Sequence, residues 1–292
     1  MKAPAFDYAR PTNLAEALAL LARHGDDAKL IAGGQSLLPA LNLRLQSPAI
    51  LIDIGRLDEL RGIADAGDHV RLGALARHAE LLRSPIVAQH APLLVAAIRH
   101  VAHPAIRNRG TIGGNLAHAD PASELPACAV ALRGRIVVAG PDGERRVDAD
   151  AFFRGVYETA LDPVEILVAV EVPKRGPEAR HAFHELARRG GDYALAGIAC
   201  TASLREGRLS DIRPVFFSVG PRPTLATRAA AALEGRDPSP DVVAAAQAAL
   251  ANDLQPEADL QVSAATRLQL ARVLLGRAVA DLAGTEPLRM SA

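Results

Sequence analysis

Ala32-Gly33-Gly34-Gln35-Ser36 decides how this chain reads, because Thr111-Ile112-Gly113-Gly114-Asn115 offers the same pattern a second time. Each stretch sets a glycine pair beside a small hydroxyl or amide residue. Glycine pairs permit positive φ and let a ligand approach where a Cβ would stand. Successive N–H groups in such a turn form a nest for an anion, and a helix N-terminus behind it adds partial positive charge. Two nests facing one another suit a diphosphate. The same residues also read as two tight turns without a ligand, and the physics of the turns stops at a phosphate-bearing cofactor.

Outward from the first turn, Asn13 and Glu16 have capping-box spacing, and Leu14, Leu18 and Leu21 share a helical face until Gly25. Residues 29–32 form a strand; Ser36 caps a helix over 37–45. Strands follow at 49–54 and 70–75. Ser84-Pro85 and Ala91-Pro92 start helices. The polar, glycine-dense stretch 103–121 interrupts regular structure. A helix over 123–132, a strand over 135–139, a turn at Pro141-Asp142-Gly143 and a strand over 164–172 come next. The domain boundary falls at Pro173-Lys174-Arg175-Gly176-Pro177. Beyond it, strands at 181–187, 195–204 and 212–219 precede Ala-rich helices, the last capped by Ser263 and running to Leu282. This order predicts an α+β chain ending in a small antiparallel sheet with helices packed on it.

Composition removes several functions. The 292 residues carry 33 Lys+Arg and 33 Asp+Glu, so no net charge attracts a polyanion; with aromatics at 3% and no Trp, nucleic acid is not a partner. No apolar run spans a bilayer and no leader follows Met1, which predicts a cytoplasmic protein. Cys128 and Cys200 read as buried small hydrophobes and cannot ligate an iron–sulfur cluster by themselves. P-loop, GxGxxG, GxSxG and HExxH motifs are absent. His100, His103, His118, Asp120 and Glu124 cluster in sequence but fit no zinc spacing, so no metal ligand is assigned.

At the two turns the chain resembles the FAD-binding medium subunits of the molybdenum hydroxylases, such as aerobic carbon monoxide dehydrogenase and relatives acting on purines, N-heterocycles or aldehydes. The first turn continues as Leu37-Leu38-Pro39. The second is preceded by Arg107-Asn108-Arg109-Gly110 and runs on from Leu116 to Pro126. A third motif is Arg188-Arg189-Gly190-Gly191-Asp192-Tyr193-Ala194. The resemblance implies a FAD-binding domain of the PCMH type over residues 1–176, in two subdomains split near residue 55. A C-terminal domain would occupy 177–292. It implies that Ala32, Gly33, Gly34, Gln35, Ser36, Thr111, Ile112, Gly113, Gly114 and Asn115 hold diphosphate and ribityl. Lys29 would approach the adenosine end, Glu124 would hydrogen-bond FAD, Leu167 would pack near adenine, and Tyr193 would lie close to the isoalloxazine. His184 stands where many relatives carry a Lys near the flavin, and it is left out of the site. No catalytic acid or base is assigned, since the cofactor carries the redox chemistry.

The function implied is an FAD-carrying electron-transfer subunit of a molybdenum-containing dehydrogenase. The molybdenum cofactor would sit on a large partner subunit and [2Fe-2S] clusters on a small one, in a dimer of heterotrimers. The alternatives are a stand-alone FAD-dependent oxidase or reductase and a non-catalytic assembly scaffold.

Overall fold

Asn13 opens the first helix as its spacing requires: its Oδ1 accepts from Glu16 N at 2.8 Å. Glu16 reaches back one residue further than a capping box demands, to Thr12 N at 2.6 Å. In the computed structural model, which describes residues 2–285, this helix, α1 (Leu14–His24), follows a short strand, β1 (Asp7–Ala9). It leads into β2 (Ala28–Ile31), α2 (Leu37–Asn42) and β3 (Ile50–Asp53). The strands pair in parallel in the order β1-β3-β2, and α1 packs on them. β1 gave no sequence signal because Asp7 and Tyr8 are both exposed.

Two expectations around α2 fail. Ser36 takes the N-cap position with φ −104° and ψ −43°, and its hydroxyl caps nothing. The helix stops at Asn42 because Arg44 turns left-handed, at φ +57°. Leu45 N then bonds to Ala40 O at 2.9 Å and Arg44 N to Leu41 O at 3.0 Å, the pairing of a Schellman stop.

Next come β4 (Ile63–Asp65), β5 (His69–Gly73), α3 (His78–Arg83), α4 (Pro85–His90) and α5 (Pro92–Ile98). Both predicted proline starts are realised. The stretch 103–121, read as irregular, contains α6 (Pro104–Arg107) and α7 (Ile112–His118). Then follow α8 (Glu124–Ala131), β6 (Arg135–Gly140), β7 (Gly143–Asp148), α9 (Ala149–Phe152), the small hairpin of β8 (Phe153–Gly155) and β9 (Glu158–Thr159), and β10 (Ile166–Pro173). They build an antiparallel sheet ordered β4-β5-β10-β6-β7. β10 is central and buried up to its last residue, which is why it reads as a near-continuous apolar run. Its one charge, Glu171, is 1% exposed and held by Arg146 (3.0 Å), Arg135 (3.3 Å) and Arg71 (3.4 Å), as a buried carboxylate requires.

After Pro173 the chain forms a four-stranded antiparallel sheet of β11 (Ala179–Leu186), β12 (Ala196–Arg205), β13 (Arg208–Phe217) and β14 (Thr224–Leu225). α10 (Thr227–Leu233), α11 (Pro240–Asp253) and α12 (Ala264–Ala283) cover one face. Ser263 caps α12, accepting from Thr266 N at 3.2 Å. The other face lays Phe183, Ala199, Val215 and Phe217 into the core that holds α5 and α8. Cys128 and Cys200 are buried and unbridged. Burial pushes both thiols up, Cys200 to about 12. Among the described residues no helix is long and apolar enough to cross a membrane.

Candidate functional site

The first glycine turn leaves β2 at Ile31 and enters α2 at Leu37. Gly34 has φ +72°, a conformation that a Cβ disfavours. Gln35 Nε2 donates to Gly33 O at 3.0 Å and braces the turn. Among the described residues, no acceptor takes the N–H groups of Gly33, Gly34, Gln35, Ser36 or Leu37. The turn is only partly buried, so these amides form a run of donors open to an anion.

The second turn is built differently. Thr111 caps α7, its Oγ1 accepting from Gly114 N at 3.2 Å, and both glycines lie inside the helix. Ile112 N donates to Ala76 O at 3.0 Å, Gly113 N to Ala74 O at 2.8 Å and Asn115 N to Thr111 O at 3.0 Å. These amides are spent on the protein, so a second anion nest does not exist here. Gly113 is glycine for packing: a Cβ would lie 2.5 Å from the Ala74 Cβ and 2.8 Å from its backbone.

The two turns nonetheless meet. A Cβ on Gly33 would stand 2.3 Å from Arg109 O, and one on Gly114 would stand 3.7 Å from the Ala32 Cβ. Asn115 lies behind them; its Nδ2 donates to Ser123 Oγ at 3.2 Å, while its buried Oδ1 has no partner among the described residues. Unspent amides suit a diphosphate, and an orphaned amide oxygen suits a hydroxyl donor. That donor set fits the diphosphate and polyol of a flavin nucleotide.

The remaining predicted residues surround this junction unevenly. Lys29 is exposed on β2. Leu167 is 5% exposed, beside a bulge in β10, in the same core as Ala74, Ile112 and Leu116. Glu124 opens α8; burial foremost, then the charges of Glu185 and Asp120, push its carboxyl up to about 7. Tyr193 is 66% exposed between β11 and β12. Partial burial and the Asp120 carboxylate hold its phenol above the ordinary range. His184 faces away from this region: its Nε2 lies 2.8 Å from Asp281 Oδ2 on α12. Strand alternation sends Glu185 instead toward His100, at 3.3 Å.

Several residues escaped the sequence reading. Tyr157, at φ +57°, packs at a tilt on His118 with centroids 4.8 Å apart, close to Asp120. His78 lies under Gly110, whose Cβ would come within 3.2 Å of its ring. Burial holds its imidazole at about 4, and among the described residues neither ring nitrogen has a hydrogen-bond partner. In the sequence, the cluster of histidines and acids and the motif running from Leu116 to Pro126 hinted at this region. Among the described residues its members form no group able to hold a metal ion.

A parallel three-stranded unit and an antiparallel sheet meet at paired glycine turns, with a helix-covered sheet behind, and the unspent amides of the first turn fit a phosphate-bearing nucleotide cofactor. The chain belongs to the family of FAD-binding medium subunits of molybdenum hydroxylases. Residues 4–175 match the FAD binding domain in molybdopterin dehydrogenase, and residues 181–282 the CO dehydrogenase flavoprotein C-terminal domain. The nicotine 6-hydroxylase medium subunit of Paenarthrobacter nicotinovorans is 41% identical, with 96% of this chain and 98% of that one aligned. The carbon monoxide dehydrogenase of Hydrogenophaga pseudoflava that lacks the Mo-pyranopterin moiety superposes with a TM-score of 0.95 at 41% identity, covering 97% of this chain and 98% of that one. Quinoline 2-oxidoreductase from Pseudomonas putida 86 gives 0.92 at 39% identity, covering 97% and 99%.

Proposed function

We propose that this chain carries FAD as the electron-transfer subunit of a heteromeric molybdenum-containing dehydrogenase in the cytoplasm. It would take electrons from [2Fe-2S] clusters on a small partner and pass them to an external acceptor, with the molybdenum cofactor on a large partner. A dimer of heterotrimers is the assembly proposed. The observation that carries the reading is the run of unspent amides from Gly33 to Leu37, facing a second turn whose Asn115 oxygen lacks a donor.

The bound cofactor supplies the two-electron carrier that no side chain of this chain provides. The chain's own part is to bind and orient. The amides of the first turn grip the diphosphate without adding formal charge. Asn115 would receive a hydroxyl, Lys29 would approach the adenosine end, and Leu167 would supply apolar surface near adenine. Tyr193, exposed on the loop before β12, would pack against the ring system. The division proposed at residue 176, and within the first part near 55, accords with the three larger sheets and the proline-bracketed link after β10.

Purification of the native complex, with metal analysis, tests the assembly. Two further chains with molybdenum and iron are expected; a solitary chain that oxidises a substrate by itself refutes the subunit reading. Amide hydrogen exchange with and without FAD tests the site, as set out below.

A further inference from the structure

A groove of about 370 Å3 opens between the turn from α5 to α6 and the loop from β11 to β12. Arg99, His100, His103 and Arg107 line it from the first side, Glu185 and Arg189 from the second. Arg107 Nη1 donates to Val101 O at 2.8 Å and to Ala102 O at 3.0 Å. Those bonds hold Ala102 at φ +39°, a left-handed conformation that a Cβ disfavours. Across the groove Gly191 has φ +87°, and a Cβ there would stand 2.6 Å from the His103 ring. The loop therefore lies directly against the turn, and contacts between the two walls fix the shape of the groove.

Charge is unevenly spent in it. Glu185 is the only acid among the lining residues; its side chain is 6% exposed, and its Oε1 lies 3.3 Å from His100 Nδ1. Its Oε2 is buried and has no partner among the described residues, so no neighbouring arginine turns inward to it. Nor, among the described residues, does any carboxylate come within ion-pairing distance of Arg99, Arg107 or Arg189. Three guanidiniums line the groove unpaired, while the one carboxylate beside them is engaged with an imidazole.

We propose that this groove docks a carboxylate-bearing segment of a partner chain, with the exposed Arg99 and Arg189 as its anchors. The inference rests on the subunit reading above. A guanidinium offers parallel N–H groups that match a carboxylate, and arginine is enriched where interfaces concentrate binding energy. Among the described residues no Phe, Tyr or Trp lines the groove to stack a base, which favours an acidic polypeptide over a nucleotide. Arg107, tied to the turn carbonyls, adds positive charge behind the anchors. The groove ends at Gly191, two residues before Tyr193, so a seated segment also fixes the loop that carries that tyrosine.

The test uses the native complex. Arg99→Lys and Arg189→Lys each place an amine that a carbodiimide joins to a carboxylate in contact with it. Mass spectrometry should find the new cross-link on an Asp or Glu of another chain. Arg99→Glu combined with Arg189→Glu should speed release of that chain about tenfold or more, or prevent its assembly. The lysine variants keep the charge, so the cross-link stays readable where reversal blocks assembly. Cross-links confined to carboxylates of this chain, with release unchanged by the reversal, overturn the inference. ADP binding by wild type that the reversal abolishes, with assembly unchanged, overturns it in favour of a small anion. Purification without any partner chain refutes the subunit reading itself, and this inference with it.

Discussion

At Gly33–Leu37 the chain passes from strand to helix with its amides unspent. At Thr111–Asn115 nearly the same residue types lie inside a helix whose first amides bond to Ala76, Ala74 and Thr111. The first pair of glycines leaves donors open; the second pair lets α7 lie directly against Ala74. A glycine pair therefore specifies close approach, and the neighbours determine whether ligand or protein makes it.

The largest effects should come from the two glycines whose Cβ would strike backbone. Gly113→Ala pushes into Ala74, and Gly33→Val into Arg109 O; each should cost about 3 kcal/mol in denaturant unfolding, near the upper end for overpacking. Gly33→Val should also lose flavin binding. The contact with Arg109 adds a stability loss, because the Cβ meets protein before it meets phosphate. Full flavin retention in Gly33→Val would break the comparison.

Hydrogen exchange sharpens it. In the flavin-free protein the amides of Ile112–Asn115 should already exchange slowly, while those of Gly33–Leu37 exchange fast. FAD should slow the second set about tenfold or more and leave the first unchanged; the reverse pattern contradicts the assignment of donors.

Smaller effects separate the turns further. Gly34→Ala forces a Cβ into φ +72° and should cost about 1–2 kcal/mol. Thr111→Ala removes a working cap and should cost about 1 kcal/mol. Ser36→Ala, at a helix start whose hydroxyl caps nothing, should change stability by less than about 0.5 kcal/mol. Thermal unfolding of the flavin-free protein measures all three, and a Ser36→Ala loss equal to that of Thr111→Ala would erase the distinction.

Much of the fold was legible because its signals are local. Asn13 caps α1 through a bond to Glu16 N, Pro85 and Pro92 open helices at positions that tolerate a missing N–H, and β10 is apolar because both its faces are covered. The helix over 112–118 was missed because its glycines argue against helix by propensity, and packing against Ala74 overrides that preference. β1 was missed because three mostly exposed residues carry no alternation. The side chains near Tyr193 were partly legible: Glu124 and Tyr193 entered through motifs. Glu185 and Tyr157 belong to no motif and reach Asp120 and Glu124 only through strand register and a left-handed turn.

The sequence alone determined the capped and proline-started helices, the two glycine turns and the family they point to, since caps, breakers and motifs act over a few neighbouring residues. Tertiary structure decided which amides remain unspent, which glycines are packing joints, and which acids share a buried region. Those outcomes depend on what residues far apart in the chain bring into hydrogen-bonding range, and no short window of sequence encodes that.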